Sequence, residues 1–184
     1  MSTFESPAWP DGSRWVVGLP PAWSVRKNGD VFEFSHASGN ESFVLGVSKA
    51  LAPETTPLQH CFTRARVELF SAFYALLPKA LQLSVYRRMN PLFLFTSRHP
   101  TLGRLLSRLW CTLVCASISR RSFGVLTGCL LERSINGKFV AEGYLGAMEW
   151  RFWLRYIAIG DLETLTYGSA HNVLSSVRFQ SSNP

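Results

Sequence analysis

The residue types in this sequence indicate binding rather than catalysis, and the clearest group of candidate binding residues lies at 148–156. Alternation along a strand would place apolar side chains on one face and Arg151, Trp153 and Arg155 on the other. A tryptophan between two arginines has the composition of a protein-binding hot spot. The same ring could instead stack on a nucleic-acid base, or a helix at 58–77 could cover Trp153.

Arginine is concentrated in the middle third of the chain. Between Pro57 and Gly124 there are ten Lys or Arg residues and a single acid, Glu68, so this span carries +9 in a chain of net charge +7. Nine of the ten are Arg, whose planar guanidinium favours multidentate contacts with anions. The span predicts an anionic partner, with a solvated helical face as the alternative. The candidate binding residues here are Arg64, Arg66, Arg87, Arg88, Arg104 and Arg108.

No motif of a catalytic class is present: there is no GxSxG, no Walker loop, no HExxH and no GxGxxG. Ser169 and His171 are two residues apart, but a nucleophile and its base need a third, orienting group. Helix capping explains Ser169 better. The acids of the hairpin strands are expected to pair across strands with Arg133 or Arg151. We therefore expect no catalytic residue, no cofactor and no enzyme activity.

The four cysteines are expected to be reduced and buried as small hydrophobes. The N-terminus has no basic segment followed by an apolar one, which predicts a cytoplasmic protein without a secretory signal. Cys111 and Cys115, four residues apart, could share a helix face and bind zinc with His60 and Cys61. No CxxC or HxxxH pairing supports that site, so no metal is expected.

Composition indicates a folded domain. The chain has 184 residues, of which 47% are hydrophobic and 17% charged. That is enough for one domain with a sizeable core, and it excludes disorder, collagen and a disulfide-rich miniprotein. The longest stretch without a charged residue, Thr164–Val177, is polar, so no membrane-spanning helix is expected.

The first third of the chain reads as short strands separated by turns. Residues 1–13 contain two prolines and a glycine and are expected to be irregular. A strand candidate at 14–19 ends at a Pro-Pro turn. Segments 24–26, 31–34 and 42–48 are separated by polar, Gly-containing turns, which predicts a three-stranded antiparallel meander.

The middle third reads as helices. Pro57 suits a first helical turn, and apolar residues at three- and four-residue spacing predict an amphipathic helix over 58–77. Pro78 kinks or ends it. Residues 79–89 fit either a continued helix or an alternating strand.

A second amphipathic helix is predicted over 101–117. Arg104 and Arg108 lie on one side of it, and its leucines form a stripe on the other. That stripe contains Leu102, Leu105, Leu106, Leu109, Leu113 and Ala116. The pattern leaves open whether the basic helices pack on the sheet or project from it.

The last third is β-rich and ends in a helix. Asn136-Gly137 suits a two-residue type I′ hairpin turn. A closing helix is predicted over 169–179, capped by Ser169. Strands are expected at 123–132, 139–145, 149–159 and 162–167.

Two short signatures occur at the ends of the chain. A strand leads into a Leu-Pro-x-x-Trp turn, and the final helix ends in Ser-Val-x-Phe. The matching residues are Leu19, Pro20, Trp23, Leu174, Ser175, Val177 and Phe179. In these features the sequence resembles the PsbP-like superfamily, and most closely its bacterial secretion-adaptor branch. The resemblance implies an antiparallel sheet flanked by helices, an α/β/α sandwich. It also implies a mostly non-enzymatic function, as in photosystem subunits, a nuclear-transport regulator and chaperone-like adaptors of toxin secretion.

The order of elements predicts an α+β domain spanning 1–184, with an antiparallel sheet built from both ends of the chain. Residues 14–50 and 122–180 form the β-rich scaffold, and 57–121 form a basic helical insertion. The segment at 57–121 is longer, more apolar and more basic than the usual connection in the family.

The expected function is a non-enzymatic, cytoplasmic protein-binding module. With the resemblance, this becomes an adaptor, chaperone or immunity protein of a bacterial secreted toxin or effector. It would bind through the insertion, the Trp153 face or both. The alternatives are peripheral association with an anionic membrane surface and, less favoured, nucleic-acid binding by the Arg-rich helices. No small-molecule partner is expected.

Overall fold

The computed structural model describes residues 2–49, 57–75, 94–96, 98–135, 137–160 and 167–180. They form ten strands in two antiparallel sheets together with helices, so the predicted α+β class is confirmed. The strands are β1 (Ser2–Glu5), β2 (Arg14–Leu19), β3 (Trp23–Asn28), β4 (Val31–His36), β5 (Glu41–Lys49), β6 (Ala116–Phe123), β7 (Leu126–Ile135), β8 (Lys138–Ala147), β9 (Trp150–Ile159) and β10 (Arg178–Gln180). The helices are α1 (Pro57–Ala75), α2 (Pro100–Leu113) and α3 (Ala170–Ser175).

The larger sheet joins the two ends of the chain, as expected. Its seven strands run in the order β3-β4-β5-β9-β8-β7-β6, and the smaller sheet has the order β1-β2-β10. The junction is the β5–β9 ladder, in which Leu45 lies opposite Leu154. The strands β3, β4 and β5 form the predicted meander.

The main core lies between the larger sheet on one side and the smaller sheet with α3 on the other. It is rich in aromatic rings in contact: Trp15 meets Phe152 with ring centroids 5.8 Å apart, and Phe34 stacks on Phe43 at 4.4 Å. Aromatic pairs add favourable geometry to the large apolar area that they bury. The apolar face predicted for β9 points into this core.

The opposite face of the larger sheet is covered in part by helices. The helix α1 packs on β6, β7 and β8, and α2 packs on α1 and β6. A smaller apolar cluster forms there around Ala65, Cys111 and Leu131.

The β7–β8 hairpin forms at the predicted turn. Ile135 pairs with Lys138, which leaves two residues between the strands, and Gly137 has φ +70°. Asn136 lies outside the described residues. A positive φ is the backbone conformation that glycine adopts most readily, which is why Asn-Gly marks this turn.

The N-terminal segment differs from the sequence prediction. Ser2–Glu5 is a strand rather than an irregular arm, and it pairs with β2 in the smaller sheet. Phe4 packs on Trp15 with centroids 5.7 Å apart, and Arg14 binds Glu5 at 2.8 Å. Four residues with one large apolar side chain show no period, so this strand depends on tertiary contacts.

The boundary after α2 also differs. The helix was expected to run to Ser117 but ends at Leu113, and the chain turns through Cys115 at φ +49° into β6. The strand expected at 123–132 is interrupted by a turn at Gly124, φ +57°. The segment 57–121 therefore contains most of a sheet strand besides its helices.

The end of the chain forms a shorter helix than expected. The helix α3 spans Ala170–Ser175, and β10 follows and pairs with β2. The predictions for 79–89 and for 162–166 lie outside the described residues.

Candidate functional site

The predicted binding face of β9 is the face that α1 partly covers. Phe152, Leu154 and Tyr156 are fully buried on the other side of the strand, so Arg151, Trp153 and Arg155 point toward the α1 side. Because α1 packs on β6 to β8, the β5–β9 half of this face is less covered by the described helices. The apolar residues of that half are correspondingly only half-buried: Val31, Val44, Trp153 and Ile157.

A cleft of about 220 Å³ lies where α1 meets the sheet. We call it the sheet groove. One wall comes from α1, and the floor comes from β8 and β9. Its lining residues are Cys61, Thr63, Arg64, Val67, Glu142, Gly143, Tyr144 and Trp153.

Trp153 forms the floor of the sheet groove and is half-buried rather than exposed. Its register neighbours are Gly46 on β5 and Tyr144 on β8. A Cβ placed on Gly46 would lie 3.5 Å from Cε3 of Trp153, so the indole lies against a position that has no side chain. Trp153 was predicted to be exposed; instead its ring lies on the sheet, half-buried, with α1 beside it.

Cationic side chains surround the sheet groove. Arg64 reaches Glu142 of β8 at 3.5 Å and Glu68 at 3.4 Å, and about half of its side chain is exposed. Arg155 is exposed, and Arg151 is half-buried with Nη1 donating to the Trp150 carbonyl at 3.2 Å. The structure therefore brings together three of the predicted arginines beside Trp153.

Arg66 does not belong to this surface, although the sequence grouped it with Arg64. It is 8% exposed, and its Nη1 donates to the Thr96 carbonyl at 2.7 Å while Nη2 donates to Thr63 Oγ1 at 3.3 Å. Burial lowers the pKa of its guanidinium from the ordinary value. Arg66 joins α1 to the segment before α2, which is a structural role.

The remaining predicted arginines are elsewhere. Arg104 and Arg108 are exposed on α2, away from Trp153, and Arg87 and Arg88 lie outside the described residues. The guanidinium of Arg104 lies 6.0 Å from the centre of the Phe62 ring.

The helix α2 packs on α1 through small residues rather than through its leucines. Its buried residues are Gly103, Ser107 and Cys111, while Leu102 and Leu106 are half-buried and the other three leucines are exposed. Small residues at four-residue spacing let α2 approach α1 closely, and the Ser107 hydroxyl donates to the Phe62 carbonyl at 2.8 Å. We call the outer stripe the leucine surface; it consists of Leu105, Leu109 and Leu113, which are 64%, 54% and 66% exposed.

A buried polar network, which the sequence did not reveal, ties β6, β7 and Tyr167 together. Arg121 binds Glu132 bidentately at 2.6 and 2.8 Å, and the Tyr167 hydroxyl also donates to Glu132. Burial raises the pKa of Glu132, but the hydrogen bonds from Arg121 and Tyr167 outweigh it and leave the pKa below its ordinary value. Glu132 was expected to pair with Arg133 or Arg151, but its partner is Arg121. Consecutive strand residues point to opposite faces, so Arg133 faces α1 instead and binds Glu68 at 2.7 Å.

Ser169 and His171 do not form a catalytic pair. The Ser169 hydroxyl donates to Glu41 at 3.1 Å and accepts from Trp23 Nε1 at 3.1 Å, while His171 lies 3.4 Å from Ser175 Oγ. Ser169 was expected to cap the last helix with its side chain, but Glu41 does so by accepting from the Ala170 N–H at 3.2 Å.

The cysteines of the described segments are free thiols. Cys61, Cys111 and Cys129 are buried and Cys115 is exposed. Burial raises the pKa of Cys61 to about 12, with neighbouring Cys129 adding to the effect. Within the described residues, no group of three His, Cys, Asp or Glu side chains is arranged to hold a metal ion. None of the described helices meets the length and hydropathy that crossing a bilayer requires.

Comparison with known proteins adds little to this picture. No protein-family model and no curated protein matches the chain. A crystal structure of a protein from Bacteroides thetaiotaomicron is similar over 98% of this chain and 48% of its own, at 12% identity and a TM-score of 0.49. The chain thus spans about half the length of that protein.

Proposed function

We propose that this protein is a non-enzymatic binding module that holds a segment of another protein in the sheet groove. The observation that supports the proposal is the position of Trp153. Its half-buried ring lies beside α1, on the β5–β9 half of the sheet, which the described helices cover less. Interface hot spots are enriched in Trp and Arg and lie in partly enclosed pockets. Trp153 with Arg64, Arg151 and Arg155 has this composition and setting.

The chemistry of the surface favours an acidic, amphipathic partner segment. Val44 and Ile157 offer apolar area next to Trp153, and they would accept an apolar side chain or helix face. The surrounding arginines would pair with acidic residues on either side of that face and set its register. Such a partner fits a cytoplasmic adaptor, chaperone or immunity protein of a bacterial secreted toxin.

A PsbP-like relationship belongs to the same proposal. The Leu-Pro-x-x-Trp turn joins β2 to β3, and the Ser-Val-Arg-Phe signature leads from α3 into β10. Both signatures lie next to the smaller sheet, on the side of the larger sheet away from the groove. In this view the scaffold is family-like, and the segment that carries α1 and α2 supplies the partner-specific surface.

Site-specific photocrosslinking tests the proposal. p-Benzoylphenylalanine replaces Trp153 in the protein expressed in its native cell, and crosslinked products are identified by mass spectrometry. The matched control carries the same residue at Met148, which is 86% exposed in the β8–β9 turn. We expect one acidic polypeptide to crosslink at position 153 and not at 148. Equal, nonspecific crosslinking at both positions would contradict the proposal.

Point variants then measure the contribution of each group once that polypeptide is purified. Trp153→Ala is expected to weaken binding by about 2 kcal/mol, roughly 30-fold. Arg155→Glu is expected to slow association and to make binding less sensitive to salt. Arg26→Glu, at an exposed position on β3, is the charge control and should change binding little.

A further inference from the structure

The leucine surface is placed by the helical repeat. At 3.6 residues per turn, positions 105, 109 and 113 lie on the side of α2 opposite positions 103, 107 and 111. Since the small residues are the buried ones, α2 is held against α1 by its small stripe and directs its leucines outward. A Cβ on Gly103 would lie 2.5 Å from Nη1 of Arg66 on α1 and 2.8 Å from the Thr96 carbonyl oxygen, so only glycine lets α2 lie this close to α1.

Two further large apolar side chains are exposed shortly before the start of α2. Leu94 and Phe95 are 51% and 49% exposed, and the Phe95 ring lies 4.2 Å from the ring of His99, the residue that precedes the helix. The described residues of 94–113 thus expose five large apolar side chains, and apolar groups exposed together indicate an interaction site.

Among the described residues, the charged side chains on α2 and just before it are all arginines. Arg98, Arg104 and Arg108 are exposed, and α2 contains no acidic residue. By the helical repeat, Arg104 and Arg108 lie along one side of the leucine surface. Leucines with flanking arginines and a strongly amphipathic pattern are the features of a helix that lies in a membrane interface.

The helix is too short to cross a bilayer. Its 14 residues span about 21 Å at 1.5 Å per residue, against a hydrocarbon core of about 30 Å. In-plane contact would instead place the leucines among the upper acyl chains while the arginines stay at the level of the headgroups.

We propose that the leucine surface binds the surface of a bilayer containing anionic lipids. This function goes beyond protein binding in the sheet groove, since it uses a different helix and different residues. The leucines supply apolar burial, and the three arginines supply attraction to the anionic headgroups. The module would hold its protein partner at the membrane.

The exposed thiol allows a direct test on the whole protein. Cys115 follows α2 and is exposed, while Cys61, Cys111 and Cys129 are buried, so a maleimide environment-sensitive dye attaches at Cys115. The labelled protein is mixed with phosphatidylglycerol–phosphatidylcholine vesicles or with pure phosphatidylcholine vesicles. We expect a blue shift and co-sedimentation with the anionic vesicles only, both weakened by salt.

Substitutions separate the leucines from the arginines. The double variant Leu105→Ser, Leu109→Ser should weaken binding to anionic vesicles by at least about tenfold. Arg104→Ala and Arg108→Ala should each weaken it by about fivefold. The controls Met148→Ser and Arg26→Ala alter equally exposed positions elsewhere and should leave binding unchanged.

The outcomes are distinct. Because the altered leucines are exposed, circular dichroism and thermal melting should match the wild type, and a variant that fails this check is replaced by Leu113→Ser alone. Absence of vesicle binding by the wild type would overturn the proposal. The proposal would also be overturned if the wild type formed a dimer, bound no vesicles, and became a monomer on substitution Leu109→Ser. The leucine surface would then join two copies of the chain. Trp153→Ala should keep vesicle binding, so failure of the groove proposal would be seen separately.

Discussion

Gly103 shows how a single atom sets the position of α2. A Cβ at this position would lie 2.5 Å from Nη1 of Arg66 and 2.8 Å from the Thr96 carbonyl oxygen. The first group is hydrogen-bonded and the second is backbone, so neither can move without breaking the Arg66–Thr96 bond. Glycine is required here for space rather than for its backbone freedom.

We therefore predict that Gly103→Ala destabilises the protein by about 2 kcal/mol, within the usual cost of overpacking. Gly46→Ala is the matched control, because its Cβ would meet Trp153 and Val31 at ordinary contact distances of 3.5 to 3.7 Å. Urea unfolding of both variants checks the prediction. If Gly103→Ala lost no more stability than Gly46→Ala, α2 would be able to shift away from α1 at little cost in free energy.

Glu132 makes a second prediction at the residue scale, about acid stability. Its folded-state pKa lies below the ordinary value of 4.5, because Arg121 and Tyr167 stabilise the carboxylate more than burial destabilises it. A depressed pKa contributes stability above the unfolded-state value, and this stability is lost as pH falls through the folded-state value. Arg121, in turn, has its pKa raised by the hydrogen bonds to Glu132.

Glu132→Gln should cost about 2 kcal/mol at neutral pH, because it removes the charge partner of Arg121, whose side chain is partly solvated. The difference between wild type and variant should shrink as pH falls below 4.5. Glu33→Gln, where the carboxylate accepts a surface hydrogen bond from Asn28 at 2.9 Å, is the control and should change little at any pH. A pH-independent difference for Glu132→Gln would mean that the carboxylate is not the ionised partner of Arg121.

At the scale of elements, periodicity predicted what was amphipathic but not which side was buried. The buried face of β9 was predicted correctly, because a strand has two faces and only one face of this strand is mainly apolar. The apolar stripe of α2 was predicted, but its pattern did not show which side of the helix packs on the protein. The true contact uses Gly103, Ser107 and Cys111, and small residues leave little hydrophobic signal. The close approach of α1 and α2 depends on both helices, so the sequence pattern of α2 alone cannot reveal it.

The same limit applies to the short strands and to the partners of Glu132. β1 and β10 have four and three residues and exist because β2 lies between them. Turns at Cys115 and Gly124 create β6, and β6 in turn brings Arg121 to Glu132. Of the candidate site, Trp153, Arg151, Arg155 and Arg64 were found from composition and alternation. Their distance from Arg104 and Arg108, and the burial of Arg66, followed only from the tertiary fold.

The strand β10 gives a prediction at this scale. The strand β10 pairs with the edge of β2 opposite β1. Its Phe179 ring lies 5.6 Å from the ring of Trp150 and 6.1 Å from that of Phe152, measured between centroids. A chain ending at Val177 loses this ring and the β2–β10 ladder, and it should unfold at a lower urea concentration than the full chain. A chain ending at Gln180 is the control. Equal midpoints for the two truncations would show that β10 contributes nothing to the smaller sheet.

At the scale of the whole molecule, the basic segment is part of the scaffold rather than an appendage. Its helices cover β6, β7 and β8, and its last residues are most of β6 itself. The scaffold therefore needs the segment for its own stability. The leucine surface lies on the outer side of the segment, and the sheet groove lies between α1 and the strands β8 and β9. Folding and the two proposed binding surfaces are thus coupled in the region that carries the excess positive charge.

This coupling predicts different results for two internal deletions, each closed with a Gly-Ser linker. Removing 57–121 deletes α1, α2 and most of β6, which leaves β7 at the sheet edge and Glu132 buried without Arg121. An unpaired buried carboxylate and an uncovered apolar sheet face are both strongly destabilising. Removing 57–113 exposes the same face but keeps β6 and the Arg121–Glu132 pair. We expect the second deletion to retain a cooperative, though lowered, thermal transition by circular dichroism, and the first to show none. Two equally cooperative transitions would mean that β6 and its buried ion pair are dispensable, and that the basic segment is a separable insertion after all.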